Sequence, residues 1–488
     1  MSASKKIRKL VLLILGAGAI ACGAWAQDTQ EPQVPEQPET QAKPKPAARG
    51  IPAINDPNAT VDNSEDQTTN WQPDTSPVTG FQSPTLGSPN LEHSYWVPGL
   101  EYGSTIQSRP PGKLATNGWF ADNYVGGQLS LLEARNRSQL GLNYSGGGYF
   151  TTDSLQNNGA FHQFSLAQNI TLRRWQIQLF DSFSYIPESE FGFAGGTNLA
   201  VPGVSGTLGP AVPDLGASIV PNQSIYSAIG PRYSNAAAAQ MTYLVSARSS
   251  ITVGGSYGLL HFTESGNVDS DMALGSVGFN YAVGRNDSIG IQYRFAGYHF
   301  EGELQALGSH TVSFVYSRKI VRKVALNLFG GPQITNYRVP VANASRNIGI
   351  SAGGSLKYAF QHGTVNLSYF HGLTGGSGVL LGSNSDGVTA GLNRQLSRIW
   401  SGNVSFGYSR NGQLSVGPSI AGQNFDDWFA GTGISRPFGR NVNFGFSYTA
   451  MFENTKLPIC AGTACNSNYT DQLVSISLQW HTRPFVLP

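Results

Sequence analysis

Residues 442–452 read VNFGFSYTAMF, and their two-fold alternation decides the fold. Val442, Phe444, Phe446, Tyr448, Ala450 and Phe452 share one face, while Asn443, Gly445, Ser447, Thr449 and Met451 share the other. Such a period places the two sets on opposite faces of a β-strand. A soluble sandwich would bury the apolar face in strands of about five or six residues. This run is longer, and its second face is rich in small polar residues and glycine. An apolar-out, polar-in strand, long enough to cross a bilayer at a tilt, fits it better.

The same texture spreads outward from this segment in both directions. Towards the C-terminus, Val474, Ile476, Leu478 and Trp480 oppose Ser475, Ser477, Gln479 and His481. Towards the N-terminus, Trp400, Val404, Phe406 and Tyr408 oppose Ser401, Asn403, Ser405 and Gly407, and Val365, Leu367 and Tyr369 oppose Thr364, Asn366 and Ser368. Ile289, Ile291, Tyr293 and Phe295 oppose Ser288, Gly290, Gln292 and Arg294. Short turns are expected near 134–137, 173–174, 248–249, 284–287, 319–323, 361–363, 397–398 and 439–441. Longer polar links are expected at 152–159, 188–234, 263–269, 302–307, 340–346, 375–386, 411–424 and 454–468. Alternating short and long connections are the layout of an up-and-down membrane barrel.

Parity then constrains the strand count. With both ends on the short-turn side, the number of strands is even. The segment ending at Glu133 runs into a short turn, so another strand must precede it, and WVPGLEYGSTIQ at 96–107 is the candidate. The expectation is an all-β transmembrane barrel over residues 95–488 with about eighteen strands, or about sixteen if one pair is misread.

Two segments before the barrel read differently. Lys5, Lys6, Arg8 and Lys9 precede an apolar run from Leu10 to Ala21, and Ala24-Trp25-Ala26 suits a cleavage site, so 1–26 reads as a signal peptide. Residues 27–94 are dominated by Gln, Pro, Asp, Asn, Ser and Thr and read as a disordered periplasmic tail. Losing the leader removes four basic residues from 31 and leaves 27 against 29 acids, a formal charge of −2. That balance offers nothing for nucleic acid. Charged residues are only 12% of the chain, and it holds 59 glycines in 488 residues. Cys22 leaves with the leader; Cys460 and Cys465 enclose only four residues and read as a local disulfide in an exported chain, a two-ligand metal site being the alternative.

By architecture, residues 95–488 resemble the Gram-negative outer-membrane β-barrel proteins, and loosely the porins of sixteen and eighteen strands. Members of that family usually end on an aromatic residue; here Phe485 is followed by Val486, Leu487 and Pro488. The resemblance implies outer-membrane lipid as surroundings, the barrel-assembly machinery as a transient partner, and small polar solutes as cargo; an oligomer is compatible with it. The inward set is expected to line a water-filled lumen, with Arg294, Lys357, Gln292, Asn366, Asn403 and Asn443 as its polar markers. No ring of like charges is visible in the sequence, which points away from a strongly selective ion pore. The 188–234 link is a candidate constriction, with Glu188, Glu190, Asp214 and Arg232 setting a local field, or else an outer cap. The eight histidines sit in no recognisable catalytic or metal motif, and no cofactor is expected. The sequence therefore reads as a non-enzymatic, porin-like channel for passive diffusion of small hydrophilic solutes. The competing reading is a structural or surface-interaction barrel closed by its loops and tethered through its tail.

Overall fold

The computed structural model describes residues 94–108, 119–135, 137–152, 158–186, 232–263, 268–284, 286–301, 305–321, 323–341, 344–375, 382–414, 424–439, 441–455 and 468–486. The leader, the tail up to residue 93, and Cys460 and Cys465 lie outside them. The strands in chain order are β1 (Tyr95–Ser108), β2 (Trp119–Arg135), β3 (Ser138–Thr151), β4 (Gly159–Thr171), β5 (Trp175–Ile186), β6 (Arg232–Leu244), β7 (Ser249–Phe262), β8 (Ser270–Ala282) and β9 (Asp287–Phe300). They continue as β10 (Ala306–Val321), β11 (Val324–Val341), β12 (Ala344–Phe360), β13 (Gly363–Thr374), β14 (Ser383–Gln395), β15 (Ser401–Gln413), β16 (Asn424–Phe438), β17 (Val442–Thr455), β18 (Asn468–His481) and the two-residue β19 (Phe485–Val486).

Each strand from β2 to β18 pairs antiparallel with its neighbours in sequence. β1 closes the ring by pairing with both β2 and β18, with Glu101 opposite Gly126 on one side and Gln479 on the other. The result is a closed barrel of eighteen strands, as turn parity required, and closure leaves no wall strand with an unpaired edge. β19 adds a short patch on Tyr95 and Trp96, where Trp96 and Phe485 stack at 4.8 Å. Phe485 thus ends up beside the first strand, although it is not the terminal residue.

Alternation sorts the side chains as the sequence implied. Leu100, Tyr102 and Ile106 of β1, Val253 of β7, Ile291 of β9 and Phe314 of β10 project outward and are exposed. Ile348 and Ile350 of β12 are the extreme, at 72% and 63% exposed. Many inward positions carry small or hydrogen-bonding side chains, which neighbouring strands join into lateral pairs. Thr105 meets Ser475 at 3.1 Å, Ser184 meets Ser234 at 2.6 Å, and Gln333 Nε2 donates to Ser309 Oγ at 2.9 Å.

Two sequence expectations need correction. The polar stretch 340–346 is not a long link: β11 runs to Val341, β12 starts at Ala344, and only two residues separate them. A register shift between Asn336 and Val341 breaks the alternation there, so Pro340 and Asn343 imitate a loop. Arg232, placed by sequence in the 188–234 link, is instead the first residue of β6 and pairs with Ile186 and Phe262.

Candidate functional site

The inner wall is where this fold can do chemistry or selection, because both faces of every strand are now assigned. Cross-strand register puts Gln292, Arg294, Asn366, Asn403 and Asn443 at positions opposite to the exposed apolar set. Lys357 joins them and lies directly across from Asn366. Gln292 is buried. Of the residues expected at a constriction, Arg232 also takes an inner position and is buried, whereas Glu188, Glu190 and Asp214 lie outside the described residues.

The inner wall also carries acids that the sequence reading passed over. Glu101 on β1, Asp122 on β2 and Asp427 on β16 occupy inner positions and are 5%, 7% and 3% exposed. Among described side chains the inner bases are Arg232, Arg294, Lys319 and Lys357, on β6, β9, β10 and β12. Strand order makes β16, β17, β18, β1 and β2 contiguous and sets them apart from β6 to β12. Acids and bases are therefore segregated onto different sectors of one closed wall. A sequence scan for rings of like charge could not find this, because single charges far apart in the chain become neighbours only when the barrel closes.

A second feature lies towards the long-link end. There the inner face of β8 to β11 turns apolar, with Met272, Leu274, Ala296, Tyr298, Phe300, Leu307 and Tyr337 forming a buried cluster. Leu373, at the end of β13, belongs to the same cluster, and Leu414, just after β15, packs on it. Two strands separate β13 from β10 in the sheet, so this contact crosses the barrel interior instead of running along the wall. The Tyr298 hydroxyl donates to the Leu373 carbonyl oxygen at 3.5 Å, a long bond that adds little to the packing.

Gly382, at the other end of the same connection, has φ +82° and presses against Leu307. A Cβ there would stand 2.4 Å from Leu307 Cδ1, so glycine answers both the backbone conformation and the close approach. Beneath the connection runs a buried hydroxyl–amide network. Thr374 Oγ1 lies 2.7 Å from both Ser383 Oγ and Ser385 Oγ, Ser385 donates to Asn411 Oδ1 at 2.7 Å, and Asn411 Nδ2 reaches Ser409 Oγ at 2.9 Å and Asp427 Oδ2 at 3.5 Å. Satisfied networks of this kind rigidify what they join. The two described ends of the β13–β14 connection, Leu373 and Gly382, are thus both held against the apolar cluster.

Histidines take little part in this wall. His162, His261, His299, His310 and His371 all occupy outward positions near the long-link end. Several belong to a ring-stacked belt in which Tyr144, His162, Tyr185, Tyr233 and His261 follow one another across β3 to β7. Towards the short-turn end Trp175 packs on Tyr243 at 4.4 Å, and Arg436 lies over Trp400 at 5.3 Å. Both rims of the outward face are therefore aromatic.

No protein-family model and no curated protein matches the chain. Solved structures similar to it include Pseudomonas aeruginosa OpdQ, at 9% identity over 80% of this chain and 98% of that one, with a TM-score of 0.42. Pseudomonas aeruginosa OpdL is similar at 10% identity over 79% and 98%, with a TM-score of 0.39. Acinetobacter baumannii OccAB1 is similar at 8% identity over 79% and 96%, with a TM-score of 0.39. At this level of identity and superposition the likeness assigns no activity to the chain.

Proposed function

We propose that this chain is a channel of the bacterial outer membrane through which small hydrophilic solutes diffuse passively. The observation that carries the reading is the closed wall of eighteen strands with an apolar outward face and a polar, charge-segregated inward one. Soluble monomers expose apolar patches of at most about 300–600 Å². A belt of exposed Leu, Ile, Val, Phe and Tyr over most of the strands, interrupted at the Asp181–Asn235 pair on β5 and β6, calls for lipid instead of water. Aromatic residues at both ends of that belt suit the two interfaces of a bilayer. A barrel of this strand number is too wide for Gly, Ser, Thr and Asn to fill, which supports an aqueous path lined by Arg294, Lys357, Gln292, Asn366, Asn403 and Asn443.

Export through a cleaved leader at 1–26, insertion by the assembly machinery and a periplasmic role for the tail complete this proposal. Purified full-length protein in planar bilayers should give discrete conductance steps, and a reproducibly silent membrane would overturn the channel reading. The second reading, a barrel closed by its own connections, is favoured by one observation: Leu373, at the end of β13, is buried in the apolar cluster of β8 to β11. It predicts silence in the native chain and conductance only after that contact is removed.

A further inference from the structure

We propose that His261, Asp269 and Glu301 bind one divalent cation of borderline character, of which Zn²⁺ is the representative, at the long-link rim of the barrel. The three residues come from the end of β7, the link leading into β8, and the residue after β9. Each offers one ligand atom, and these atoms lie within 4.8 Å of one another.

The arrangement is held from outside the trio. Asp269 Oδ1 accepts the Phe262 N–H at 2.8 Å, and the Asp269 carbonyl oxygen accepts the Glu301 N–H at 2.8 Å. Those two bonds fix the Asp269 carboxylate and bring the Glu301 backbone beside it. Its second oxygen, Oδ2, meets His261 Nδ1 in a short contact. The His261 ring is itself oriented by stacking on Tyr233, with centroids 6.3 Å apart and planes 21° apart. A ligating histidine whose ring is held by its surroundings is characteristic of built metal sites. Backbone bonds and ring stacking thus hold the Asp269 carboxylate and the His261 ring side by side, with a Glu301 carboxylate oxygen within 4.8 Å of both ligand atoms.

Chemistry chooses the ion. Two carboxylates beside an imidazole place acidic oxygens and a ring nitrogen in a small volume, which favours a cation between them. One nitrogen and two oxygens with room for water are the donor set of zinc and its neighbours. Calcium and magnesium prefer all-oxygen shells of six or more ligands. The His261 side chain is 46% and the Asp269 side chain 18% exposed, so the pair is open at the rim of the barrel. Binding would tie the ends of β7, β8 and β9 together, and it is independent of whether the barrel conducts.

The test uses the full chain in detergent, stripped with EDTA, in a background where Cys460 and Cys465 are replaced by Ser so that thiols contribute nothing. Titration calorimetry with ZnCl₂ and metal analysis after gel filtration should give one equivalent per chain. His261→Gln and Glu301→Gln should each weaken binding about tenfold or more, and a hundredfold excess of Ca²⁺ or Mg²⁺ should not displace the zinc. The urea midpoint of each variant without metal should match the parent, which separates loss of a ligand from loss of the fold. Absence of zinc binding would reduce the trio to a plain His261–Asp269 ion pair and overturn the proposal, as would unchanged affinity in both variants or displacement by Ca²⁺.

Discussion

Gly331 on β11 shows what a single missing Cβ does in this wall. A Cβ added there would stand 1.8 Å from the Val312 carbonyl oxygen, and backbone cannot rotate aside as a side chain can. Its neighbour Pro332 has no N–H to donate, and the β10–β11 ladder skips from Thr311 opposite Gln333 to Phe314 opposite Gly330. The two strands approach closely at this point because nothing intervenes. Gly331→Ala should therefore destabilise the folded barrel by about 3 kcal/mol or more, the upper range of overpacking, read as a lowered urea midpoint. Gly387→Ala is the matching control, since its Cβ would meet nothing within 4 Å, and its midpoint should stay within about 0.5 kcal/mol of the parent. Equal midpoints in the two variants would overturn this reading, because Gly→Ala acting through the unfolded chain alone would raise both. Both glycines look the same in the sequence, where each simply interrupts a run of alternating residues.

At the scale of elements, the connection between β13 and β14 is the part with the most to test. Leu373 is 5% exposed in a cluster contributed mainly by β8 to β11. Truncating a buried leucine to alanine typically removes about 2–5 kcal/mol. Leu373→Ala should release the connection from the inner wall and raise the unit conductance in planar bilayers. Tyr298→Phe, which loses the long 3.5 Å bond to the Leu373 carbonyl but keeps the ring in the cluster, should change conductance far less than Leu373→Ala. If Leu373→Ala conducts like the parent, the connection does not narrow the path. The strands on either side of it were legible in the sequence, because Val365, Leu367 and Tyr369 alternate cleanly with Thr364, Asn366 and Ser368. Their contact with the apolar cluster was not, for a physical reason: Leu373 meets Tyr298 and Gly382 meets Leu307 through tertiary packing, and periodicity reports only which face a residue takes. A partial signal did exist, since Ala296, Tyr298 and Phe300 make the inner face of β9 apolar just where Gln292 and Arg294 had made it polar. The misread link at 340–346 failed locally instead, because a register shift interrupts the two-fold pattern.

The whole molecule adds a property that no residue or strand has alone, a difference in charge between two sectors of the wall. Glu101, Asp122 and Asp427 lie in the β16-to-β2 sector, and Arg232, Arg294, Lys319 and Lys357 lie between β6 and β12. If an aqueous path runs between these sectors, each sets the local concentration of its own counter-ion, and the balance between them sets selectivity. Replacing Arg294 and Lys357 together by Gln removes positive charge, so the reversal potential in a KCl gradient should move towards cation preference. Glu101→Gln should move it the other way. Both shifts should be larger at 0.1 M salt, where the screening length is about 10 Å, than at 1 M, where it falls to about 3 Å. Opposite shifts of this kind would require both sectors to face the same water. Shifts of the same sign, or none at low salt, would mean that at least one sector is sealed from the conducting path, and would favour a barrel closed by its own connections over an open one.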